Sequence, residues 1–382
     1  MDQIYLDKIL LVGSSISLFL AILLLRKTGK VLHDYIIGVW LMFLGLYVFV
    51  YAFVPVHFFI GKPWLINFYI ALLFLNGPLL FFYVKAITNQ SEKLNKAFLW
   101  HLLPFMAFVA YLNLFANASA VFSGTESAHE ATNIEFPLPY FLFLILLALS
   151  VPLYIYLSIQ ILLRHKKIIA DNFSDIEKRT LTWLRNLIII LGLAWIVLVI
   201  IIFIHHVLHL FSDSFCINGL FMTLTAFIVT AGSYGFKQPG VFSSKGSMTP
   251  EVLEESDKPY AGSSLKEEDK QQYLASLMDY IDNKKPYLNN EITLSQLALE
   301  VNIPLHHLSR IINEHFNQNF FDFINQFRVN EFIRRLAEPK YSNYSLLAIA
   351  FDCGFNSKTT FNRYFKKATG VTPSQYKNKS VN

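Results

Sequence analysis

Two short groups of hydrogen-bonding side chains stand out near the C-terminus of the chain. Imidazole, hydroxyl, amide, ammonium and guanidinium groups match the donors and acceptors that bases expose in the major groove of DNA. Such side chains can reach base edges when they lie at the start and on the exposed face of a helix. Both groups are therefore predicted to contact double-stranded DNA. They are His306, His307, Ser309 and Arg310 in the first group, and Asn356, Ser357, Lys358, Thr359, Asn362 and Arg363 in the second.

A helix-turn-helix pattern surrounds the first group. Thr293 and Gln296 have the spacing of a capping box, which starts a helix. Ala298 is the small residue needed where two helices cross, and Asn302 suits a turn at positive φ. Pro304 fits the first turn of the second helix, because its missing N–H is not needed there. The pattern predicts two short helices joined by a sharp turn.

The same pattern recurs around the second group. Ala350 lies 52 positions after Ala298. Gly354 lies 52 positions after Asn302, so the turn repeats at the same spacing. Between the copies, apolar residues recur at helical spacing and predict a long connecting helix that sets the distance between the two motifs. These residues are Phe320, Phe323, Ile324, Phe327, Phe332, Ile333 and Leu336.

The second helix of each motif needs an apolar face as well as a polar one. Leu308 and Phe361 are expected to face the core and not the groove. Residues 304–382 contain eleven Lys or Arg against five Asp or Glu, which favours contact with phosphates. The alternative interpretation is an ordinary helical bundle whose polar face is only solvated.

These residues resemble the AraC/XylS family of bacterial transcription regulators. The resemblance covers about a quarter of the chain and implies an all-α, double helix-turn-helix DNA-binding domain. It rests on Leu308-Ser309-Arg310, Phe320 followed by Arg328, Ile349-Ala350, Gly354-Phe355, residues 361–367, Gly370 and residues 372–376. The sequence departs from the family pattern at Asn317, where glycine is usual, and at Phe332, where a small residue is usual. We expect Asn317 to adopt the left-handed conformation and Phe332 to change the packing around the connecting helix.

The rest of the chain has a different character. Of 382 residues, 54% are hydrophobic and only 15% are charged, which is too apolar for a soluble protein. Residues 136–163 and 186–212 contain no Asp, Glu, Lys or Arg, and either stretch can span a bilayer. The pattern predicts seven transmembrane helices at about 9–25, 35–54, 64–84, 98–116, 137–163, 187–206 and 215–236. The lipid bilayer is therefore a predicted partner, and the first span is taken as an anchor and not as a cleaved leader.

The distribution of basic residues predicts the orientation of these spans. The first, third and fifth loops between spans hold twelve Lys or Arg, whereas the second, fourth and sixth loops hold only Lys62. Because positively charged loops stay in the cytoplasm, the N-terminus is predicted outside and the C-terminus inside. The predicted location is the bacterial cytoplasmic membrane, with the helix-turn-helix motifs on the side of the chromosome.

Three domains follow from these patterns. Residues 1–236 form a sensor-like membrane domain, residues 237–269 a flexible linker rich in Pro, Gly, Ser and acid, and residues 270–382 the DNA-binding domain. Ser264 and Glu267 have the spacing of a further capping box, followed by an amphipathic helix. That helix either docks on the DNA-binding domain or pairs with a second copy of the chain, so a homodimer stays open.

Metal and cofactor chemistry have little support in the sequence. Cys216 and Cys353 are far apart and fall on opposite sides of the membrane in the predicted topology, which supports neither a disulfide nor a thiolate site. His205, His206 and His209 put two imidazoles on one helical face, but no carboxylate partner is evident, so no metal and no cofactor is predicted. Pro78, Pro104 and Pro152 are expected to kink their spans.

Two functions fit the pattern. The first is a membrane-anchored transcription regulator, not an enzyme, controlled by an unknown small-molecule or membrane signal. The second is a transporter or membrane enzyme whose DNA-binding tail provides autoregulation. No acidic residue lies deep in any predicted span, which favours the first.

Overall fold

The structure is a computed structural model that describes residues 3–59, 62–89, 98–115, 138–176, 179–208, 213–237 and 267–381. Every regular element in these residues is a helix, which confirms the predicted all-α class. The chain divides into two compact units. The first comprises Met1–Leu163 with Leu181–Met248, and the second comprises Arg164–Thr180 with Thr249–Asn382.

The first unit is built from long apolar helices. They are α1 (Gln3–Arg26), α2 (Leu32–Phe53), α3 (Pro63–Ala71), α4 (Asn76–Asn89), α5 (Phe98–Phe115), most of α6 (Leu138–Asn172), α7 (Thr182–Leu208) and α8 (Asp213–Lys237), with 3-10 turns at Val56–Phe59 and Leu72–Leu75. The core lies where α1 packs on α2 and α8, and where α2 packs on α4. Trp40, Leu44 and Val48 are buried there, and the hydroxyl of Ser17 donates to the carbonyl of Leu41 at 2.7 Å.

Five helical stretches of this chain are long and apolar enough to cross a membrane. They are Tyr5–Arg26, Leu32–Phe53, Trp64–Thr88, Ile145–Asn172 and Thr182–Ile201, and shorter apolar helices occupy Phe98–Leu114 and Ile217–Ala231. Each predicted span falls on one of these helical stretches. The predicted number of seven spans stays a prediction, because two of the seven helices are short by this measure.

The third predicted span is not one continuous helix. A 3-10 turn at Leu72–Leu75 separates α3 from α4. Pro78 lies in the first turn of α4 and has no N–H to donate to the carbonyl four residues earlier, so the α-helical ladder is interrupted there. The indole of Trp40 donates to the side chain of Asn76 at this break, at 3.0 Å. Pro104 and Pro152 lie inside α5 and α6.

One helix is longer than the span predicted from the sequence. The fifth span was expected to end at Leu163, but α6 continues to Asn172. His165, Ile169 and Asn172 are buried at helical spacing, so the basic stretch after Leu163 has a packed face as well as a charged one. Hydropathy alone does not detect such an extension, because its charged face dominates the average.

The second unit begins with this end of α6. It continues with α9 (Glu267–Lys284), α10 (Leu294–Glu300), α11 (Leu305–His315), α12 (Phe320–Leu336), α13 (Leu346–Asp352), α14 (Lys358–Thr369) and α15 (Pro373–Val381), with 3-10 turns at Pro286–Leu288 and Pro339–Tyr341. Leu277 and Ile281 on α9 are fully buried against the core of α10, α11 and α12. The docking alternative for this amphipathic helix is therefore confirmed.

The long connecting helix α12 carries aromatic contacts to both motifs. The ring of Phe332 lies 4.7 Å from that of Phe361 and 5.4 Å from that of Phe365. Phe332 is fully buried, so the large residue that departs from the family pattern fills the second core. Asn317 has φ of 50°, as its position in place of glycine predicts.

Several predictions fall on parts of the chain outside the described residues. Residues 238–266 hold most of the predicted linker, including Ser264. His209 and the side chains of His205 and His206 are also outside them. The amphipathic helix predicted after the linker starts at Glu267.

Candidate nucleic-acid interface

The first helix-turn-helix motif is closed at its start by the predicted capping box. The backbone N–H of Gln296 donates to the Thr293 hydroxyl at 3.2 Å, and the N–H of Thr293 donates to the Gln296 side chain at 3.0 Å. Two N–H groups at the start of α10 therefore have partners without a preceding turn. This reciprocal cap defines where the first helix of the motif begins.

The turn of the first motif follows the predicted geometry with one difference. Asn302 has φ of 54°, in the left-handed region. The N–H of Ile303 then donates back to the carbonyl of Ala298 at 3.0 Å. Pro304 caps α11 from just outside, with ψ of 135°, and the helix begins at Leu305. Proline was predicted inside the first turn, but an extended Pro304 leads into the helix equally well, since no N–H is needed at either position.

The second motif repeats these contacts at the spacing of the sequence repeat. Gly354 has φ of 92° at the position equivalent to Asn302. The N–H of Phe355 donates to the carbonyl of Ala350 at 3.2 Å, which is the equivalent of the bond made by Ile303. Ser345 caps α13, and Ser357 caps α14 by accepting from the N–H of Thr360 at 3.1 Å. The internal repeat is therefore a structural repeat.

The second helix of each motif is strongly amphipathic. Leu308, Ile311 and Ile312 of α11 are buried in the first core. Phe361 and Phe365 of α14 are buried in the second, which confirms the predicted orientation of Leu308 and Phe361. Burial of one face leaves the opposite, polar face of each helix toward solvent. This is the arrangement that a helix needs to enter a groove.

The predicted contact residues of α11 lie at its start and on its solvent side. His306 is exposed, whereas His307 is half-buried with its ring stacked 5.8 Å from that of Tyr273. Burial, with smaller contributions from His306 and Arg310, lowers the pKa of His307. The Nε of Arg310 donates to the carboxylate of Glu314 at 2.9 Å, an exposed pair that a base or phosphate can replace at low cost.

The predicted contact residues of α14 are more varied. Lys358, Thr359, Asn362 and Arg363 are exposed on the same helix. The Arg363 guanidinium lies 5.2 Å from the centre of the Tyr364 ring, and this cation–π contact keeps the Arg363 side chain beside the helix. Ser357 is already used as the helix cap, and Ser309 of α11 accepts a weak bond from Asn313 at 3.4 Å.

Asn356 differs from the other predicted contact residues. Its Nδ2 donates to the carboxylate of Asp175 at 2.8 Å and to the carbonyl of Asn290 at 3.0 Å. Both acceptors belong to the second unit, but Asp175 comes from the chain segment after α6. In this structure the amide of Asn356 is therefore held by the protein.

Two charged residues of α12 each have several hydrogen-bond partners. Arg328 is 1% exposed, and its Nε donates to the carbonyl of Tyr287 at 2.8 Å. The Glu331 carboxylate accepts hydrogen bonds from Arg334, Arg335 and Lys285, at 2.7, 2.8 and 3.2 Å. These cations, with Arg334 foremost, lower the pKa of Glu331 to about 2 against the opposing effect of burial. The carboxylate is therefore charged throughout the physiological range.

The residues that hold Asn356 and Arg328 were not predicted from the sequence. Ser174 and Asp175 lie in a stretch that looks like an ordinary polar loop, and the contact from Ser174 to Arg328 spans 154 positions. The available signal was that Arg328 lies at helical spacing between Ile324 and Phe332, because an arginine on the buried face of a helix needs several acceptors from elsewhere in the chain.

A family model described as a helix-turn-helix domain matches residues 297–379. Neither the curated proteins nor the solved structures contain a match to this chain. The matched residues contain all of α11 to α14 and both turns. The family model supports an AraC-type helix-turn-helix domain in the C-terminal part of the chain and, with it, binding of double-stranded DNA.

Proposed function

We propose that the chain is a membrane-anchored bacterial transcription regulator, controlled by a signal that the membrane domain senses. The observation that carries the DNA-binding part is the structural repeat. Two motifs with equivalent turns each bury one face of a second helix and expose the polar face. A helical bundle with a merely solvated surface needs neither the second copy nor the matched turns.

In this proposal α11 and α14 enter the major groove. His306 and Arg310 of α11 and Asn362 and Arg363 of α14 contact base edges, because guanidinium and amide groups can bond to two atoms of one base. Lys358 and Thr359 lie at the start of α14, close to the N–H groups that favour a phosphate. The 17 residues of α12 extend about 25 Å, which suits two recognition elements on one side of a duplex.

The membrane anchor is supported by where apolar side chains lie. On α5, Trp100 is 75% exposed and Leu114 is 74% exposed. On α6, Leu146 is 62% exposed. Large apolar side chains exposed along several long helices are costly in water but favourable in lipid. We infer that these faces contact the hydrocarbon of the bilayer.

The orientation proposed from basic residues has independent support. The loop that begins at Arg164 is one of those assigned to the cytoplasm by its positive charge. Residues 173–176 of this loop pack within the same unit as the helix-turn-helix motifs. A loop and a domain that contact each other must lie on one side of the membrane, and this supports a common position on the side of the chromosome.

The experiment that tests the proposal uses the full-length protein in lipid nanodiscs. Selection from a pool of random DNA duplexes is expected to enrich a motif with two short elements, roughly 10 base pairs apart. Arg310→Ala and Arg363→Ala should each relax one element, whereas Lys340→Ala, an exposed charge on the turn after α12, should leave the motif unchanged. The proposal would be refuted if the folded protein enriched no motif.

A further inference from the structure

Residues 173–176 are a short non-helical segment of the α6–α7 connection that is built into the DNA-binding unit. Phe173 pairs with Thr293 in an isolated antiparallel bridge. The N–H of Ser174 donates to the carbonyl of Ile292 at 3.2 Å. Phe173, Ser174 and Ile176 are 7%, 1% and 8% exposed, so the segment is nearly as buried as the core it joins. We call residues 173–176 the latch segment.

The latch segment completes the hydrogen bonding of Arg328. The Nη1 of Arg328 donates to the Ser174 carbonyl and its Nη2 to the Ser174 hydroxyl, both at 3.2 Å. The remaining guanidinium hydrogens go to Tyr287, Asn289 and Asn325. Because guanidinium has five N–H donors, Ser174 supplies two of the five acceptors. Undocking the segment would leave two buried donors without these partners unless water replaced them.

The latch segment also reaches the second recognition helix. The Asp175 carboxylate accepts from the amide of Asn356, the residue just before the Ser357 cap of α14. The N-terminus of α14 is where a DNA phosphate is expected to bind, since the N–H groups there are turned toward it. A carboxylate beside that helix end repels a phosphate and holds a side chain that was predicted to contact a base.

We propose that the latch segment is an autoinhibitory contact that competes with DNA at the second helix-turn-helix motif. The docked segment holds Asn356 and places a negative charge beside α14. DNA therefore binds with full affinity only when the hydrogen bond between Asp175 and Asn356 is broken. α6 runs from the membrane domain directly into the segment, and a change in α6 is therefore transmitted to it by the chain itself. This inference rests on the proposed function, because it needs DNA as the competitor.

A purely structural role for the segment makes the opposite prediction. If residues 173–176 only stabilise the fold, then weakening their contacts lowers the affinity for DNA. If they compete with DNA, the same change raises the affinity. The sign of the effect separates the two roles.

The test uses the full-length protein in nanodiscs and the duplex that the wild-type protein enriches. Asp175→Ala removes both the charge and the acceptor, and should tighten binding about tenfold, equal to ~1.4 kcal/mol. Asp175→Asn keeps an acceptor for Asn356 and should tighten binding by less. Asp279→Ala removes one carboxylate from the exposed side of α9 and serves as the control, with little expected effect. In an Asn356→Ala background, Asp175→Ala should lose most of its effect.

Hydrogen exchange provides a readout that a change of surface charge does not move. Saturating duplex should speed exchange of the Ser174 amide at least about tenfold, because competition displaces the segment. Unchanged exchange in the DNA complex would overturn the proposal, as would equal or weaker binding by both Asp175 variants. If the wild-type protein enriches no duplex at all, the proposed function fails. If the wild-type protein binds a duplex and the Asp175 variants bind it no more tightly, the proposed function stands and only the autoinhibitory contact is refuted.

Discussion

Replacement of Gly354 by alanine tests how closely the second turn approaches the rest of the DNA-binding unit. A Cβ at this position would lie 2.4 Å from the carbonyl oxygen of Tyr287 and 3.0 Å from that of Leu288. It would also lie 3.0 Å from the Nε of Arg328. Two of these three atoms belong to the backbone, so neither can turn away as a flexible side chain would.

The expected cost has two parts. A non-glycine residue at φ of 92° costs about 1–3 kcal/mol in backbone strain. Relief of the contact with Tyr287 requires backbone movement, which typically costs another ~1–3 kcal/mol in a packed core. The carbonyl that must move is the acceptor of the Arg328 Nε, so one adjustment weakens a second contact. We expect Gly354→Ala to lower the stability of the unit by about 2–6 kcal/mol.

Gly370→Ala is the matched control. Gly370 has φ of 77°, and nothing lies within 4 Å of its added Cβ. Only backbone strain applies there, at about 1–2 kcal/mol. Both variants are compared by hydrogen exchange of the full-length protein in nanodiscs, which gives the free energy of opening for the amides of α13 and α14. A cost at Gly354 equal to that at Gly370 would refute the close approach of the turn.

Three further predictions follow from the DNA-binding unit. Arg363→Ala should weaken binding of the selected duplex by about 1–3 kcal/mol and relax preference at one base position, measured by titration against single-base variants. Glu331 has its pKa lowered to about 2 from 4.5, so its stabilisation is present above pH 4.5 and is lost as pH falls toward 2. Glu331→Gln should reduce the change in the free energy of unfolding across that pH window by on the order of 2–3 kcal/mol. Burial raises the pKa of the Cys353 thiol to about 12, so a maleimide should label Cys353 only after unfolding, and fast labelling of the folded protein would contradict its burial.

Local signals explain why the helix-turn-helix motifs could be predicted from the sequence. A capping box, a residue that tolerates positive φ and apolar residues at helical spacing all act within a few positions of one another. Thr293, Asn302 and Gly354 therefore lie where their residue types predict. The apolar helices of the first unit are predictable for a similar reason, because their signal is the hydropathy of a continuous stretch.

Contacts between distant parts of the chain were not predictable in the same way. Nothing in the residue types of Ser174 and Asp175 indicates that they meet Arg328 and Asn356. The extension of α6 to Asn172 was missed because hydropathy averages its charged and buried faces. Asn356 was predicted to contact DNA from its position before α14, and that prediction is untested, but its neighbour could be learned only from the fold.

The DNA-binding unit is assembled from two stretches of chain that lie far apart in the sequence. A ribosome makes residues 164–180 well before it makes α9 to α15, and α7 and α8 are synthesised in between. The unit can therefore reach its final hydrogen bonding only after the chain beyond α8 has been completed. The same discontinuity limits recombination: transfer of residues 267–382 to another anchor leaves behind two acceptors of Arg328. A DNA-binding cassette from this protein that carries residues 173–176 would keep both of these acceptors.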